Sequence, residues 1–125
     1  MNKFYVAIIG AGASGLFCWG SNQQEIQKLI IEKNLIPGKK LLLTGSGKCN
    51  FTNTEYRTKF IQAFGNNSAF LKFGLKAFDN NKCIEYFTNK GLKITIEDDG
   101  RVFPESQRAS DVEVQYLFFI PSVNL

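Results

Sequence analysis

The hydrophobic pattern at the start of the chain predicts a strand, a tight turn, a helix and a second strand. Residues 4–9 (FYVAII) form an almost continuous apolar run, typical of a strand buried on both faces. Glycine-rich residues 10–15 predict the turn, and the helix starts over 14–19. A second apolar run over 28–32 predicts the next strand. Two strands joined through a helix are expected to run parallel, with a right-handed crossover.

The pattern beyond this unit predicts two loops, two helices, a hairpin and one further helix cap. One loop is expected over residues 33–40, turning at Pro37-Gly38, and a second, glycine-rich loop over 44–50. A helix capped by Asn66–Ser68 is expected next, with Phe70, Phe73, Leu75 and Phe78 on one apolar face, and a further helix is expected from Asp79 to Gly91. A strand over 92–97, a hairpin turn at 98–100 and a return strand over 101–103 follow. Ser110-Asp111 is the last predicted cap.

Composition limits the classes of chemistry. The 125 residues provide for one domain, and 44% hydrophobic residues are enough to bury a core. The chain has no histidine, which excludes histidine triads and histidine metal ligands, and we expect no metal site. Three cysteines without a CxxC pair indicate reduced thiols and a cytoplasmic location. No apolar stretch is long enough for a signal peptide or a membrane span, so no membrane is expected as a partner.

The net charge of +4 is modest, and no run of five or six like charges is present. A modest net charge without such runs is typical of charged residues on a solvated surface, so we expect no nucleic acid as a partner. Phenylalanines at helical spacing are similarly expected to lie in the core rather than to stack on bases; they are Phe60, Phe64, Phe70, Phe73 and Phe78.

The strongest chemical signal is a GxGxxG motif between the first strand and the helix. Gly10 permits the tight turn, Gly12 lets the backbone approach a pyrophosphate, and Gly15 permits close helix–strand packing. Phosphate oxygens are attracted to the free N–H groups at the helix N-terminus. Glu32 ends the second strand, where a carboxylate accepts from ribose hydroxyls and repels a 2′-phosphate. The motif therefore predicts FAD or NAD, although a glycine turn that only packs the unit remains the alternative.

The second glycine-rich loop is not a P-loop. A Walker A motif needs glycine at position 42 and serine or threonine at 49, where this chain has Leu42 and Cys49. The loop is interpreted either as a backbone approach to a flat or anionic ligand, or as an ordinary connection. Cys49 is a flavin contact or redox thiol in the first interpretation, and a packing residue in the second.

Several segments together resemble a known family, in the order in which that family has them. They are 8–16 (IIGAGASGL), 32–34 (EKN), 37–41 (PGKKL), 44–53 (TGSGKCNFTN), 98–104 (DDGRVFP) and 109–112 (ASDV). The chain resembles the N-terminal part of the bacterial NAD(P)/FAD-dependent oxidoreductases called HI-0933-like flavoproteins, which include bile-acid-reductase-like members. The resemblance implies an α/β fold: a Rossmann-type FAD/NAD(P)-binding domain with a parallel sheet, here truncated.

The resemblance also implies a cofactor, a reaction and a set of site residues. Family members pass hydride from NAD(P)H by way of FAD to an organic substrate, so a small-molecule cofactor and such a substrate are the expected partners. The implied cofactor-binding residues are Gly10, Gly12, Ala13, Ser14, Gly15, Glu32, Lys33, Lys40, Gly45, Gly47, Lys48, Cys49 and Asn50. The first loop would hold the pyrophosphate, Glu32 and Lys33 the adenosine, and the remaining residues would run toward the flavin.

The chain departs from the family pattern at three places. Lys48 stands where the family usually has arginine, and the first helix carries polar residues over 20–24. The likeness ends after Val112, so residues 1–112 are expected to be the N-terminal part of the FAD domain and 113–125 a divergent tail from truncation or frameshift. The alternative function is therefore a non-catalytic remnant that binds an adenine dinucleotide weakly or needs a partner to fold.

Overall fold

A computed structural model describes residues 6–21 and 27–117, and it confirms the first predicted unit. Strand β1 spans Val6–Ile9, helix α1 spans Ala13–Ser21 and strand β2 spans Lys28–Ile31. The two strands pair in parallel, with Ile8 opposite Ile30. Predicted features at residues 4–5 and at the polar positions 22–24 lie outside the described residues. α1 packs on both strands.

The prediction that β1 is buried on both faces is wrong. Ile8 is buried, whereas Ile9 is 79% exposed and its register partner Ile31 is 49% exposed. Successive side chains of a strand point to opposite faces, and among the described residues α1 covers only the face that holds Ile8. The other face of the two strands is therefore apolar and open.

Residues 39–43, from the end of the predicted first loop to the start of the second glycine-rich loop, form a helix. Helix α2 spans Lys39–Leu43 and is followed by a tight turn over Thr44–Gly47, so the predicted loop over 33–40 ends at Gly38. Gly38 adopts a φ of +66°, which glycine tolerates, and its carbonyl accepts the N–H of Leu42 at 3.0 Å. Burial of Leu41 then holds this short helix against the core.

In the part that the structure describes, the second half of the chain forms a three-stranded antiparallel sheet and four α-helices. The order of the strands in that sheet is β3-β5-β4. The elements are β3 (Thr52–Asn53), α3 (Arg57–Gln62), α4 (Ser68–Ala77), α5 (Asn80–Asn89), β4 (Ile94–Ile96), β5 (Arg101–Pro104) and α6 (Ala109–Leu117). Two predictions are confirmed here: Asp79 Oδ1 accepts the N–H of Lys82 at 2.9 Å as the cap of α5, and Gly100 turns the β4–β5 hairpin.

The core lies where α1, α2 and α6 meet α5. α6 runs through position 112 without interruption, and Tyr116 near its end is buried. Nine buried residues form the central cluster: Ala11, Leu16, Leu41, Cys49, Phe87, Leu92, Ala109, Val112 and Tyr116. Because Ala11 and Cys49 belong to the two glycine-rich loops, this core fixes both loops to one body.

The predicted apolar face of α4 is only partly correct. Phe78, just after the helix, packs on Phe17 with ring centroids 4.9 Å apart. Phe70 and Phe73 are instead 86% and 83% exposed and Phe64 is also exposed, so the expectation that these three lie in the core is wrong. Residues 57–77, all of them described, include no fully buried side chain.

Candidate dinucleotide-binding site

The turn between β1 and α1 requires glycine at its first and last motif positions. Gly10 has a φ of +92°, and its N–H donates to the carbonyl of Ile31 at 2.7 Å, which joins the turn to β2. A Cβ at Gly15 would collide with the carbonyl oxygen of Gly10 and come within 3.3 Å of the Ile8 side chain. Gly15 is therefore needed for α1 to pack closely on β1.

Neither backbone strain nor packing explains the middle glycine of the motif. Gly12 does not adopt a positive φ, and a Cβ there would meet no described atom within 4 Å. The space over Gly12 is open, beside the first turn of α1, where Ala13 and Ser14 have N–H groups without helical acceptors. The absence of a side chain at this position suits a ligand that approaches the backbone closely.

Glu32 connects the end of β2 to the glycine-rich turn. Its Oε2 accepts the N–H of Ala11 at 2.7 Å, and its Oε1 accepts the backbone N–H and the side-chain amide of Asn34 at 2.8 and 2.6 Å. The amides of Asn34 and Ala11 hold the pKa of Glu32 below its ordinary value, against partial desolvation. The site therefore presents a fixed, ionised carboxylate next to the open space over the turn.

The start of α2 lies against the same turn. The N–H of Gly38 donates to the carbonyl of Ala11 at 2.7 Å. Lys40, two residues further along, is exposed on α2, and Lys33 is exposed directly after Glu32. The structure thus brings the turn, Glu32 and the beginning of α2 together, while both lysines lie on the surface beside them.

The second glycine-rich loop is built from left-handed backbone. Gly45, Ser46, Gly47 and Cys49 have φ values of 55°, 56°, 85° and 59°. A Cβ at Gly45 would lie 3.0 Å from the amide nitrogen of Asn50, so the loop folds tightly on itself. Gly47 by contrast faces nearly open space, as Gly12 does, because a Cβ there would meet only the carbonyl oxygen of Leu42, at 3.9 Å, among the described atoms.

The three polar residues that end this loop have different surroundings. Cys49 is buried, its N–H donates to the carbonyl of Thr44 at 3.0 Å, and burial raises the pKa of its thiol. The side-chain amide of Asn50 lies 2.8 and 3.3 Å from the carbonyl oxygens of Thr52 and Val102, and the hydrogen-bond network assigns its NH₂ group to that side as the donor. Lys48 is exposed. Asn50, although also exposed, therefore ties the loop to the antiparallel sheet, and of the three residues only Cys49 is buried.

Two residues of this arrangement are missing from the sequence-based site. Asn34 orients the Glu32 carboxylate, and Gly38 joins α2 to the turn. The signal for Asn34 is its place two residues after the acid, where an asparagine side chain can bond back to the local chain. The signal for Gly38 is the Pro37-Gly38 pair, which indicates a turn but not its partner.

None of the helices in the described ranges is both long and apolar enough to cross a bilayer.

Comparison with known proteins agrees with this geometry. The family model described as the HI0933-like protein Rossmann domain matches residues 4–120. The chain is 33% identical to a 3-dehydro-bile acid delta(4,6)-reductase of Clostridium scindens over 115 residues, which are 90% of this chain and 27% of that protein. It is 30% identical to a ribosomal RNA dihydrouridine synthase of Escherichia coli over 115 residues, 91% of this chain and 28% of that one.

A second ribosomal RNA dihydrouridine synthase, of Haemophilus influenzae, is 30% identical over 112 residues, covering 86% of this chain and 26% of that protein. The chain thus spans just over a quarter of the length of these curated relatives. The parallel β1–β2 pair joined through α1 and the match along nearly the whole chain confirm the predicted Rossmann-type α/β fold and the predicted relationship. This chain belongs to the HI0933-like family and carries its Rossmann domain.

Proposed function

We propose that this chain is the FAD-binding portion of a flavin-dependent oxidoreductase in which hydride passes from NAD(P)H by way of FAD to an organic substrate. The observation that carries the proposal is the open space over Gly12, bordered by the N-terminus of α1 and by the ionised Glu32. A pyrophosphate needs N–H donors and close backbone approach, and a ribose needs a fixed acceptor. These requirements meet at one end of the β1–β2 pair.

In this proposal each part of the cofactor has named partners. The backbone from Gly10 to Gly15 binds the pyrophosphate, with the N–H groups of Ala13 and Ser14 as donors. Glu32 accepts from the adenosine ribose while Asn34 keeps its carboxylate in place. The charge of Glu32 opposes a 2′-phosphate, which favours FAD over a phosphorylated dinucleotide. Lys33 lies where it can contact the adenosine from the solvent side.

The second loop is proposed to follow the cofactor toward the flavin. Gly45 and Gly47 keep side chains away from its path, and the exposed amines of Lys40 and Lys48 supply positive charge. Cys49 supports the loop from inside the core, and Asn50 anchors it to β3 and β5. A bound flavin would supply hydride transfer between nicotinamide and substrate, while the chain itself supplies binding and orientation.

The names of the relatives support a reductive role. A delta(4,6)-reductase and a dihydrouridine synthase are both named for adding hydrogen to an unsaturated organic molecule. Their substrates are chemically unrelated, so the shared part is the redox cofactor rather than substrate recognition. This division is what we expect of a Rossmann domain, which holds the cofactor while other parts of a protein bind the substrate.

A second candidate is a non-catalytic remnant that needs a partner to fold, and the exposed apolar pair Ile9 and Ile31 favours it. Titration of the full chain with FAD, FMN, AMP and NAD separates the two by flavin and tryptophan fluorescence. Our proposal expects FAD to bind at least about tenfold more tightly than FMN or AMP, because only FAD engages both loops. Equal affinity for FAD and AMP would overturn it and favour the remnant.

A further inference from the structure

The segment from Tyr56 to Phe78, called here the α3–α4 segment, lies outside the core described above. It contains α3 and α4 and projects between β3 and α5. Its base is fixed by Asn80, whose side-chain amide donates to the carbonyls of Asn53 and Glu55 at 2.7 and 2.9 Å. The segment is therefore a defined surface feature, anchored at both ends, and the candidate cofactor site does not use it.

This segment carries the whole net charge of the chain. It contains four cationic residues and no acidic one, whereas the remaining Lys and Arg are matched in number by the Asp and Glu. The cations are Arg57, Lys59, Lys72 and Lys76. Lys59 forms an exposed ion pair with Glu55 at 3.7 Å, just outside the segment. Among the described residues, neither Lys72 nor Lys76 forms an ion pair.

The exposed face of α4 combines these charges with aromatic rings. At about 100° per residue, Phe70, Phe73, Lys72 and Lys76 fall within about 160° of the helix circumference. All four are exposed, and Phe70 and Phe73 are more than four-fifths exposed. The opposite side, with Leu71 and Leu75, is half-buried against the molecule. The helix thus uses its aliphatic residues for packing and presents rings and amines to solvent.

We propose that the exposed face of the α3–α4 segment binds single-stranded nucleic acid. Lysine amines neutralise phosphates, and exposed phenylalanine rings stack on unpaired bases, whereas a duplex offers no free base faces. The spacing of Phe70 and Phe73, one helical turn apart, suits successive bases along one strand. This inference goes beyond the proposed function and does not depend on FAD.

The arrangement fits other partners less well. A helix that lies on a membrane separates its apolar and cationic residues onto different faces, but here Phe73 and Lys76 are neighbours on the same face. Lysine is depleted in the centre of protein interfaces, and here two lysines flank the two rings. The four cations already lie within residues 57–76 of the sequence, but the modest net charge of +4 for the whole chain does not reveal that grouping.

The test is fluorescence anisotropy of the full chain with a labelled 12-nucleotide single-stranded RNA, the matching DNA, and the RNA duplex, at several salt concentrations. We expect binding to both single strands and weaker binding to the duplex. Phe70→Ala/Phe73→Ala should weaken binding at least about tenfold. Lys72→Gln/Lys76→Gln should lower the slope of log affinity against log salt by about 1.4. The control Lys93→Gln/Arg108→Gln, which removes two exposed cations elsewhere, should bind like the wild type.

Four results would overturn the proposal: no oligonucleotide binding at low salt, equal loss in the control variant, duplex binding as tight as single-strand binding, or preferential binding to vesicles of phosphatidylcholine and phosphatidylglycerol. All substituted side chains are exposed, and the ion pair of Arg108 with Asp111 is a surface one worth little, so circular dichroism and thermal unfolding should stay close to the wild type. Loss of self-association in Phe70→Ala/Phe73→Ala, with no oligonucleotide bound by the wild type, would assign the face to a second copy of the chain. Absence of FAD binding would leave the expected results unchanged.

Discussion

The Oε2 atom of Glu32 and the amide nitrogen of Ala11 lie 2.7 Å apart, although 21 positions separate the residues. The contact joins the end of β2 to the turn that precedes α1. Asn34 bonds the second oxygen of the same carboxylate, so the side chain is held from two directions. If Glu32 accepts from a ribose, as we propose, a carboxylate fixed in this way loses little conformational freedom when the ligand binds, which favours affinity.

Replacing the Glu32 carboxylate should change how the free energy of unfolding depends on pH in the acidic range. The amides of Asn34 and Ala11 lower the pKa of Glu32 in the folded state. Such a group contributes stability that is present above its unfolded pKa and is lost as the pH falls through the folded value. We therefore expect Glu32→Gln to be less stable than the wild type at pH 7 and the difference to shrink below roughly pH 4. Urea unfolding at a series of pH values measures this.

The control for that experiment is Glu105→Gln, which removes an exposed carboxylate elsewhere. Its unfolding midpoint should stay close to that of the wild type at every pH. A difference between Glu32→Gln and the wild type that is the same at pH 7 and pH 4 would contradict the role of the ionised carboxylate in holding Ala11.

The two glycines of the turn should separate folding from ligand binding. Gly15→Ala places a Cβ against the carbonyl of Gly10, so we expect a loss of about 1–3 kcal/mol in the free energy of unfolding. Gly12→Ala meets open space and should unfold like the wild type, yet its methyl group would occupy the proposed pyrophosphate position and weaken FAD at least about tenfold. Thermal unfolding and FAD titration of both variants check this, and a Gly12→Ala protein with unchanged FAD affinity would count against the site.

Local signals in the sequence are sufficient for those parts of the fold that depend on local chemistry. The β1–α1–β2 unit follows from hydrophobic period and glycine position, the cap at Asp79 from its side-chain oxygen, and the β4–β5 turn from Gly100, which has a φ of +82°. Each of these depends on residues a few positions apart. The packing role of Gly15 likewise follows from the motif alone, and the close approach to Gly10 confirms it.

Features that depend on contacts between residues far apart in the chain cannot be predicted from local sequence signals. The exposure of Phe70 and Phe73 depends on which side of α4 meets the body of the protein, and helical spacing alone does not decide that. Ile9 is exposed because no described element packs on that face of the sheet. The bond from Gly38 to Ala11 joins residues 27 positions apart, and no local pattern indicates it.

The three thiols should differ sharply in reactivity. Cys18 is exposed, Cys49 is buried with a raised pKa, and burial raises the pKa of Cys83 to about 11. The thiolate is the reactive form, so at pH 8 we expect iodoacetamide to modify Cys18 first and Cys83 more than about a hundredfold more slowly. Mass spectrometry of timed samples identifies the sites. Cys18→Ser should abolish the fast phase, and fast modification of Cys49 would show that the second loop opens readily.

A buried carboxylate on α6 should make the protein less stable at neutral pH than a neutral side chain would. Glu113 is only 8% exposed and lies against Gly38, where a Cβ would come within 2.8 Å of its Oε1. Desolvation raises the pKa of Glu113, so the folded state binds its proton more tightly than the unfolded state does. Stability from this group is therefore complete below the unfolded pKa and declines as the pH rises through the folded value.

We accordingly expect Glu113→Gln to raise the free energy of unfolding at pH 7 and to lose that advantage toward pH 4. The matched control lies two residues earlier on the same helix. The Ser106 hydroxyl and Arg108 lower the pKa of Asp111, so Asp111→Asn should be slightly destabilising at pH 7, with the opposite pH trend. Urea unfolding of both variants at pH 4, 5, 6 and 7 measures the two trends. A Glu113→Gln protein less stable than the wild type at pH 7 would mean that the carboxylate has a compensating partner.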